Sequence, residues 1–167
     1  MDLKQLYRDV ILDHYKHPRN AKALAPDGGG ALLESRCKNP SCGDRITLQL
    51  RFEDGKLADI GFQGVGCAIS QASASMMTLA AKGKTSAELS ALESEFRAMI
   101  IGGKQEPAQA VLGDLITLQG VSQLHARVKC AMCAWSALEA ALEQRGEHDM
   151  DADASLPQSA GSPPTQS

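Results

Sequence analysis

The feature that most constrains the fold is a strictly alternating segment at residues 45–52. Polar side chains alternate there with the apolar side chains of Ile46, Leu48, Leu50 and Phe52. This pattern predicts a strand with one buried face. The turn-forming pair Asp54-Gly55 follows, and alternation resumes over residues 57–64, which predicts an antiparallel hairpin. Because the hairpin has a single apolar face, a second layer must cover it.

Segments with apolar residues at helical spacing supply that second layer. The predicted helices cover residues 3–15, 67–82, 86–101, 108–118 and 127–145. A small sheet followed by a run of helices indicates an α+β fold. In the last helix the apolar stripe includes Met132 and Trp135, and a rotation of about 100° per residue places Cys130 at its flank and Cys133 nearer the opposite side.

Length and composition predict one domain followed by a tail. The chain has 167 residues, of which 43% are apolar, enough for a single domain with a core of its own. After Gly146 the composition changes to Asp, Ser, Pro and Gln with almost no apolar side chains. Such a segment cannot offset the entropy of ordering. We therefore expect a domain over residues 1–146 and a disordered acidic tail over 147–167.

Charge and hydropathy argue against nucleic acid and membrane partners. Four of the 20 acidic residues lie in the tail, so residues 1–146 carry 17 basic and 16 acidic groups and lack the basic excess that phosphate binding requires. No segment approaches the roughly 18 apolar residues of a membrane span, and the first 12 residues are too charged for a secretory leader. These features predict a cytoplasmic protein.

Five cysteines are the main candidates for chemistry. An odd number cannot pair completely, and a cytosolic chain keeps its thiols reduced, so metal or thiol chemistry is the expected use. Cys42 lies in a turn rich in Pro and Gly before the first predicted strand, Cys67 lies where the second strand gives way to a helix, and Cys130 lies at the start of the last helix. Helix starts favour the thiolate form.

Three thiols at element ends suggest a common centre, to which Asp44 adds a carboxylate. Cys42, Cys67, Cys130 and Asp44 together make four ligands, the number that tetrahedral zinc takes. Their wide spacing along the chain leaves other interpretations open. Packing in a core is the ordinary role of a free cysteine.

Cys133 and His125 leave the composition of the ligand set open, whereas Cys37 is not part of it. Cys130 and Cys133 form a C-x2-C pair, although the helical rotation argues against both thiols reaching one metal. His125 is a candidate substitute ligand, with a solvated loop side chain as the simpler interpretation. Cys37 is expected to be a semi-exposed thiol at a strand edge.

Four motifs occur in order along the chain. They are Leu6 to Asn20, ending D-H-Y-K-H-P-R-N; Asn39 to Arg45, N-P-S-C-G-D-R; Gly64 to Met77, G-V-G-C-A-I-S-Q-A-S-A-S-M-M; and Arg127 to Ala131, R-V-K-C-A, with Trp135. Together they resemble the SufU branch of the IscU-like iron-sulfur cluster assembly proteins, the family of the NifU N-terminal domain.

The resemblance implies a sheet of about three strands with helices around it, and a zinc site made by Cys42, Asp44, Cys67 and Cys130. It also implies that Cys42 accepts sulfane sulfur from a SufS-type cysteine desulfurase, so that the chain relays persulfide sulfur to downstream iron-sulfur assembly proteins. Arg127 is then a candidate for steering the anionic partner, with an ordinary surface charge as the alternative.

Two departures from scaffold-type relatives favour the sulfur-relay branch. Lys129 precedes the last cysteine where those scaffolds carry His, and the segment over roughly 98–120 is longer. Two other hypotheses stay open. One is a scaffold that holds a transient [2Fe-2S] cluster on the same ligands, and the other is a non-catalytic module with structural zinc.

Overall fold

The computed structural model describes residues 3–153 and 156, in which a mixed sheet is covered by helices. The strands are β1 (Ala31–Asn39), β2 (Asp44–Glu53), β3 (Lys56–Val65) and β4 (Glu147–Asp149). The helices are α1 (Leu3–Lys16), α2 (Ala68–Ala81), α3 (Ser86–Ile100), α4 (Gln109–Leu112) and α5 (Val128–Leu142), with 3₁₀ segments at Gly113–Gln123 and His125–Arg127. The predicted α+β class is confirmed.

The sheet has the strand order β3-β2-β1-β4. The predicted hairpin of β2 and β3 is present, antiparallel, with Leu48 opposite Phe62 and Leu50 opposite Ile60. β1 pairs antiparallel with β2, and the short β4 pairs parallel with β1. The sheet therefore has four strands rather than about three.

The fourth strand corrects the expectation of a disordered tail from residue 147. Residues 147–149 extend the sheet, and Met150 beyond them is completely buried. Leu156 is buried as well. The expectation is therefore wrong for residues 147–153, and the rest of the expected tail, apart from Leu156, lies outside the described residues.

The last helix is the centre of the core. α5 packs on β1 and β2 and also on α2 and α3, and 13 of its 15 residues are buried. The Trp135 ring stacks on Phe96 with the centroids 4.1 Å apart. Because both sides of α5 are covered, its faces do not divide into a core side and a solvent side. The placement of Cys133 away from the core was wrong for this reason.

The segment predicted as a helix over 108–118 is only partly helical. Four residues form α4, and the chain then passes through Gly113 at a φ of +54° into the 3₁₀ segment. A left-handed residue cannot continue an α-helix, and glycine adopts that conformation without steric cost. Among the described helices, none combines the length and hydropathy needed to cross a membrane.

Candidate metal centre

The turn between β1 and β2 presents Cys42 at the surface. The backbone N–H groups of Cys42 and Gly43 both donate to the carbonyl oxygen of Asn39, at 3.2 and 2.9 Å. Gly43 has a φ of +75°, a value that glycine adopts without strain. This tight turn leaves the Cys42 side chain exposed, with its Sγ 3.9 Å from the carbonyl oxygen of Ala126.

Asp44 at the start of β2 is completely buried. Its Oδ2 accepts a hydrogen bond from Asn39 Nδ2 at 2.9 Å, and its Oδ1 accepts one from the Cys67 backbone N–H at 3.1 Å. The close approach depends on Gly66, because a Cβ there would lie 2.6 Å from Asp44 Oδ1. The Asp44 carboxylate is thus held between Asn39, in the turn that carries Cys42, and the Cys67 backbone at the start of α2.

Cys67 is the N-cap residue of α2, as its predicted place at a helix start implied. Its Sγ accepts a hydrogen bond from the Ser70 N–H at 3.5 Å. A hydrogen bond from the Cys130 thiol, together with that from Ser70, lowers the pKa of Cys67 to about 6. The same contact and burial raise the pKa of Cys130. In the metal-free pair Cys67 therefore ionises first, and Cys130 keeps its proton and donates a hydrogen bond to the Cys67 thiolate.

The structure brings the predicted ligand residues together at one end of the sheet. One ligand atom each from Cys42, Asp44 and Cys130 lies within 4.8 Å of the other two. Cys67 is outside that group of three and adjoins it through its hydrogen bonds with Cys130 and Asp44. Residues 42, 67 and 130 are far apart in sequence, and the sheet and two helix starts bring them to one place.

The chemistry of this cluster suits a cation. A buried carboxylate is costly unless a positive charge or metal compensates it. Within residues 3–153, however, no lysine, arginine or histidine forms an ion pair with Asp44, and its hydrogen-bond partners are the neutral N–H groups of Asn39 and Cys67 and the Cys130 thiol. Thiolates and a carboxylate are the donors that zinc takes in tetrahedral sites. The residues present therefore fit a thiophilic divalent ion.

Arg127 lies at the exposed rim of the cluster. A hydrogen bond with Cys130, and the nearby sulfurs of Cys67 and Cys42, raise the pKa of its guanidinium further. A permanent positive charge at this rim would attract an anionic sulfur species.

The remaining candidates have other roles. Cys37 is 1% exposed, so the expectation of a semi-exposed thiol was wrong. Its carbonyl oxygen accepts a hydrogen bond from the buried Cys133 thiol at 3.6 Å. Among the described residues, the group of three ligand atoms does not include Cys133 or His125, and His125 is exposed.

Asn39 is a site residue that sequence analysis missed. It is completely buried, and its Nδ2 donates to Asp44 Oδ2 and lies 3.8 Å from the Cys130 sulfur. The available signal was its position at the start of the N-P-S-C-G-D turn, where asparagine is common because it bonds to nearby backbone. That signal predicts a turn, and only the fold shows that the side chain points at the cluster.

Comparison with protein-family profiles identifies the family of the chain. The profile described as the NifU-like N terminal domain matches residues 6–131. The chain belongs to this family. The resemblance seen in the four motifs is thereby confirmed.

Relatives within the NifU-like family carry two kinds of name. The chain is 45% identical over 138 residues to the zinc-dependent sulfurtransferase SufU of Bacillus subtilis, covering 83% of this chain and 90% of that protein. It is 42% identical over 142 residues to the iron-sulfur cluster assembly scaffold protein IscU of Streptococcus pyogenes, covering 85% and 86%.

A solved structure supports the same family fold. A protein from Fervidobacterium islandicum, described as an iron-sulfur cluster assembly scaffold for the SUF system, superposes with a TM-score of 0.72 at 35% identity. The match covers 83% of this chain and 97% of that one.

Proposed function

We propose that this chain is an iron-sulfur cluster assembly protein that accepts sulfur on Cys42 from a SufS-type cysteine desulfurase and relays it onward. The observation that carries the proposal is the difference in exposure within the cluster. Cys42 is exposed, whereas Asp44 and Cys130 are buried and Cys67 is half-buried. A partner protein can therefore reach one sulfur while the other donors stay in place.

The relatives support this assignment through their names and through the share of their length that the match covers. A match over 90% of a zinc-dependent sulfurtransferase spans nearly the whole of that protein, so a single shared motif does not account for it. We infer that Cys42, Asp44, Cys67 and Cys130 hold zinc here. When bound, zinc would supply a Lewis-acidic centre that keeps cysteine thiolates deprotonated at neutral pH.

The transfer itself is a thiol exchange at Cys42. The Cys42 thiolate attacks the terminal sulfur of the desulfurase persulfide and forms a new S–S bond with it. The S–S bond in the donor breaks, and the donor cysteine leaves as a thiolate with the electron pair. The proton on the terminal sulfur stays with the transferred atom. Atoms and charge balance without an external oxidant, and Arg127 at the rim places a positive charge beside the reacting sulfurs.

The test is persulfide formation on the zinc-loaded chain in the presence of desulfurase and cysteine. Cys42→Ala should abolish both the added sulfur, measured by intact mass spectrometry, and the stimulation of alanine production. Cys133→Ala is the matched control, since that thiol contacts Cys37 instead of the cluster, and it should retain both. Normal stimulation by a folded Cys42→Ala protein would exclude Cys42 as the acceptor.

A second candidate function is a scaffold for a [2Fe-2S] cluster on the same residues. Relatives named as scaffolds at 42% identity favour it, and thiolates bind iron-sulfur clusters as readily as zinc. Anaerobic purification followed by metal and sulfide analysis separates the two. Stoichiometric zinc in a colourless protein supports the relay, and labile sulfide with visible absorption supports the scaffold.

A further inference from the structure

A segment beyond the family match crosses the sheet edge beside the cluster. We call residues 146–153 the strap; the matched family region ends at residue 131. The Arg36 N–H donates to the carbonyl oxygen of Gly146, and the Met150 N–H donates to that of Lys38, each at 3.0 Å. Together with β4 and the buried Met150 side chain, these bonds fix the strap against β1.

Asp151 of the strap contacts two residues that flank cluster cysteines. Its Oδ1 lies 2.8 Å from Lys129 Nζ, and it accepts a hydrogen bond from Ser41 Oγ at 2.7 Å. The Ser41 backbone N–H also hydrogen-bonds to this carboxylate. Ser41 immediately precedes Cys42, and Lys129 immediately precedes Cys130. One carboxylate thus joins the Cys42 turn to the first turn of α5.

The charge environment makes this contact more than a surface ion pair. The Lys129 side chain is only 6% exposed, whereas that of Asp151 is 36% exposed. A buried ammonium group needs an anionic partner, and a surface pair between two mobile side chains contributes little. Within the described residues, Asp151 is the acid that forms an ion pair with Lys129.

We propose that Asp151 is a positioning residue that holds the Cys42 turn against the start of α5. The remaining bonds of the turn's backbone N–H groups go to Asn39, within the same turn, so they shape it without tying it to α5. Besides the long sulfur contacts of Asn39 with Cys130 and of Cys42 with the Ala126 carbonyl, the Asp151 carboxylate provides that link and so limits where the exposed Cys42 sulfur sits relative to Asp44 and Cys130. This positioning role does not require the proposed function; only its effect on sulfur transfer rests on that function.

The test measures alkylation of Cys42 by iodoacetamide in the metal-free full chain, with peptide mapping to assign each thiol and no desulfurase present. Asp151→Ala should raise the Cys42 rate roughly three- to tenfold, the factor that corresponds to losing about 0.7–1.4 kcal/mol of net hydrogen-bond stabilisation. Asp151→Glu should restore most of the restraint. Glu147→Gln is the matched control, because it removes a strap charge whose ion pair, among residues 3–153, is with Lys38, and it should leave the rate unchanged.

The pH dependence of the Cys42 alkylation rate distinguishes a change in the position of the turn from a change in local charge. Removing a nearby carboxylate by itself lowers a thiol pKa and moves the midpoint of the profile, whereas a freed turn raises the plateau at high pH. A higher plateau in Asp151→Ala alone supports the proposal. An unchanged plateau, or a uniform rise across all five cysteines, overturns it. Failure of the sulfur-transfer test with Cys42→Ala would leave this result standing, so the two proposals fail separately.

Discussion

At the scale of single residues, the five cysteines show how environment assigns different chemistry to one side chain. Cys42 is exposed by a tight turn, Cys67 accepts N–H bonds at a helix start, and Cys130 is buried beside it. Cys37 and Cys133 are buried in the core, where a thiol behaves as a small apolar group. Sequence analysis identified the three cluster thiols from their positions at element ends. It misjudged Cys37 because the residues around it do not alternate between apolar and polar, so the sequence did not show which of their side chains face the core.

The difference between Cys67 and Cys130 predicts an order of reaction in the metal-free protein. With a pKa of about 6, Cys67 is largely thiolate at pH 7, whereas the Cys130 thiol keeps its proton. Because the thiolate is the nucleophile, Cys67 should be alkylated before Cys130, with a midpoint near pH 6 in its rate profile. Peptide mapping of the Cys42→Ala protein over pH 5–9 measures this. A Cys67 midpoint near that of a free thiol, about 8.5, would contradict it.

At the scale of elements, a buried serine links two helices at the centre of the core. Ser73 on α2 donates to the Ala131 carbonyl oxygen at 2.7 Å and accepts a hydrogen bond from Trp135 Nε1 at 3.0 Å. Both partners lie on α5. This pair of bonds sets the position of α2 against α5 and, with it, the distance between Cys67 at the start of one helix and Cys130 at the start of the other.

Replacing Ser73 therefore has a defined cost. Ser73→Ala leaves the buried Trp135 N–H without a partner and should lower the free energy of unfolding by about 1–3 kcal/mol. Urea unfolding followed by Trp135 fluorescence measures it. Ser94→Ala on the exposed face of α3 is the control and should be neutral, since alanine has the higher helix propensity. Equal stability of the two variants would show that the interhelix bonds contribute nothing.

The elements that sequence predicted well are those with a strong local pattern. β2 and β3 follow from period-two alternation around Asp54-Gly55, and α3 follows from helical spacing. β1 was not predicted as a strand, because its covered face carries the polar Ser35 and Asn39 beside Cys37, so that apolar and polar residues do not alternate along it. The break of the helix at Gly113 also depends on how the segment packs, since glycine tolerates a helical as well as a left-handed conformation.

At the scale of the whole molecule, the chain beyond α5 completes both the sheet and the core. Its acidic composition predicts disorder. Composition is an average over the segment, however, and does not show the effect of an individual apolar side chain that becomes buried. Met150 is completely buried, and the neighbouring backbone pairs with β1. Leu156 is buried as well, and two apolar side chains with a few ladder bonds are enough to order a short segment where a sheet edge is available.

The Met150 side chain should contribute measurably to stability. Met150→Ala should lower the free energy of unfolding by about 2–5 kcal/mol, the usual cost of truncating a buried methionine. Chemical denaturation measures it, and Leu79→Ala, at a side chain that is 53% exposed, is the control with a much smaller expected loss. Wild-type stability in Met150→Ala would mean that the strap does not pack on the domain.

The sequence by itself determined the hairpin, four of the helices, the α+β class and the three thiols and carboxylate that make the candidate centre. These are local signals: periodicity, turn residues and chemical type at element ends. Only the tertiary structure decided that α5 is covered on both sides, that the Asn39 side chain points at the cluster, and that the strap contacts Ser41 and Lys129. α5 is buried from several directions at once, the Asn39 side chain reaches Cys130, 91 residues away, and the strap reaches Ser41, 110 residues away. No local pattern encodes such contacts, because their free energy arises only when distant segments meet.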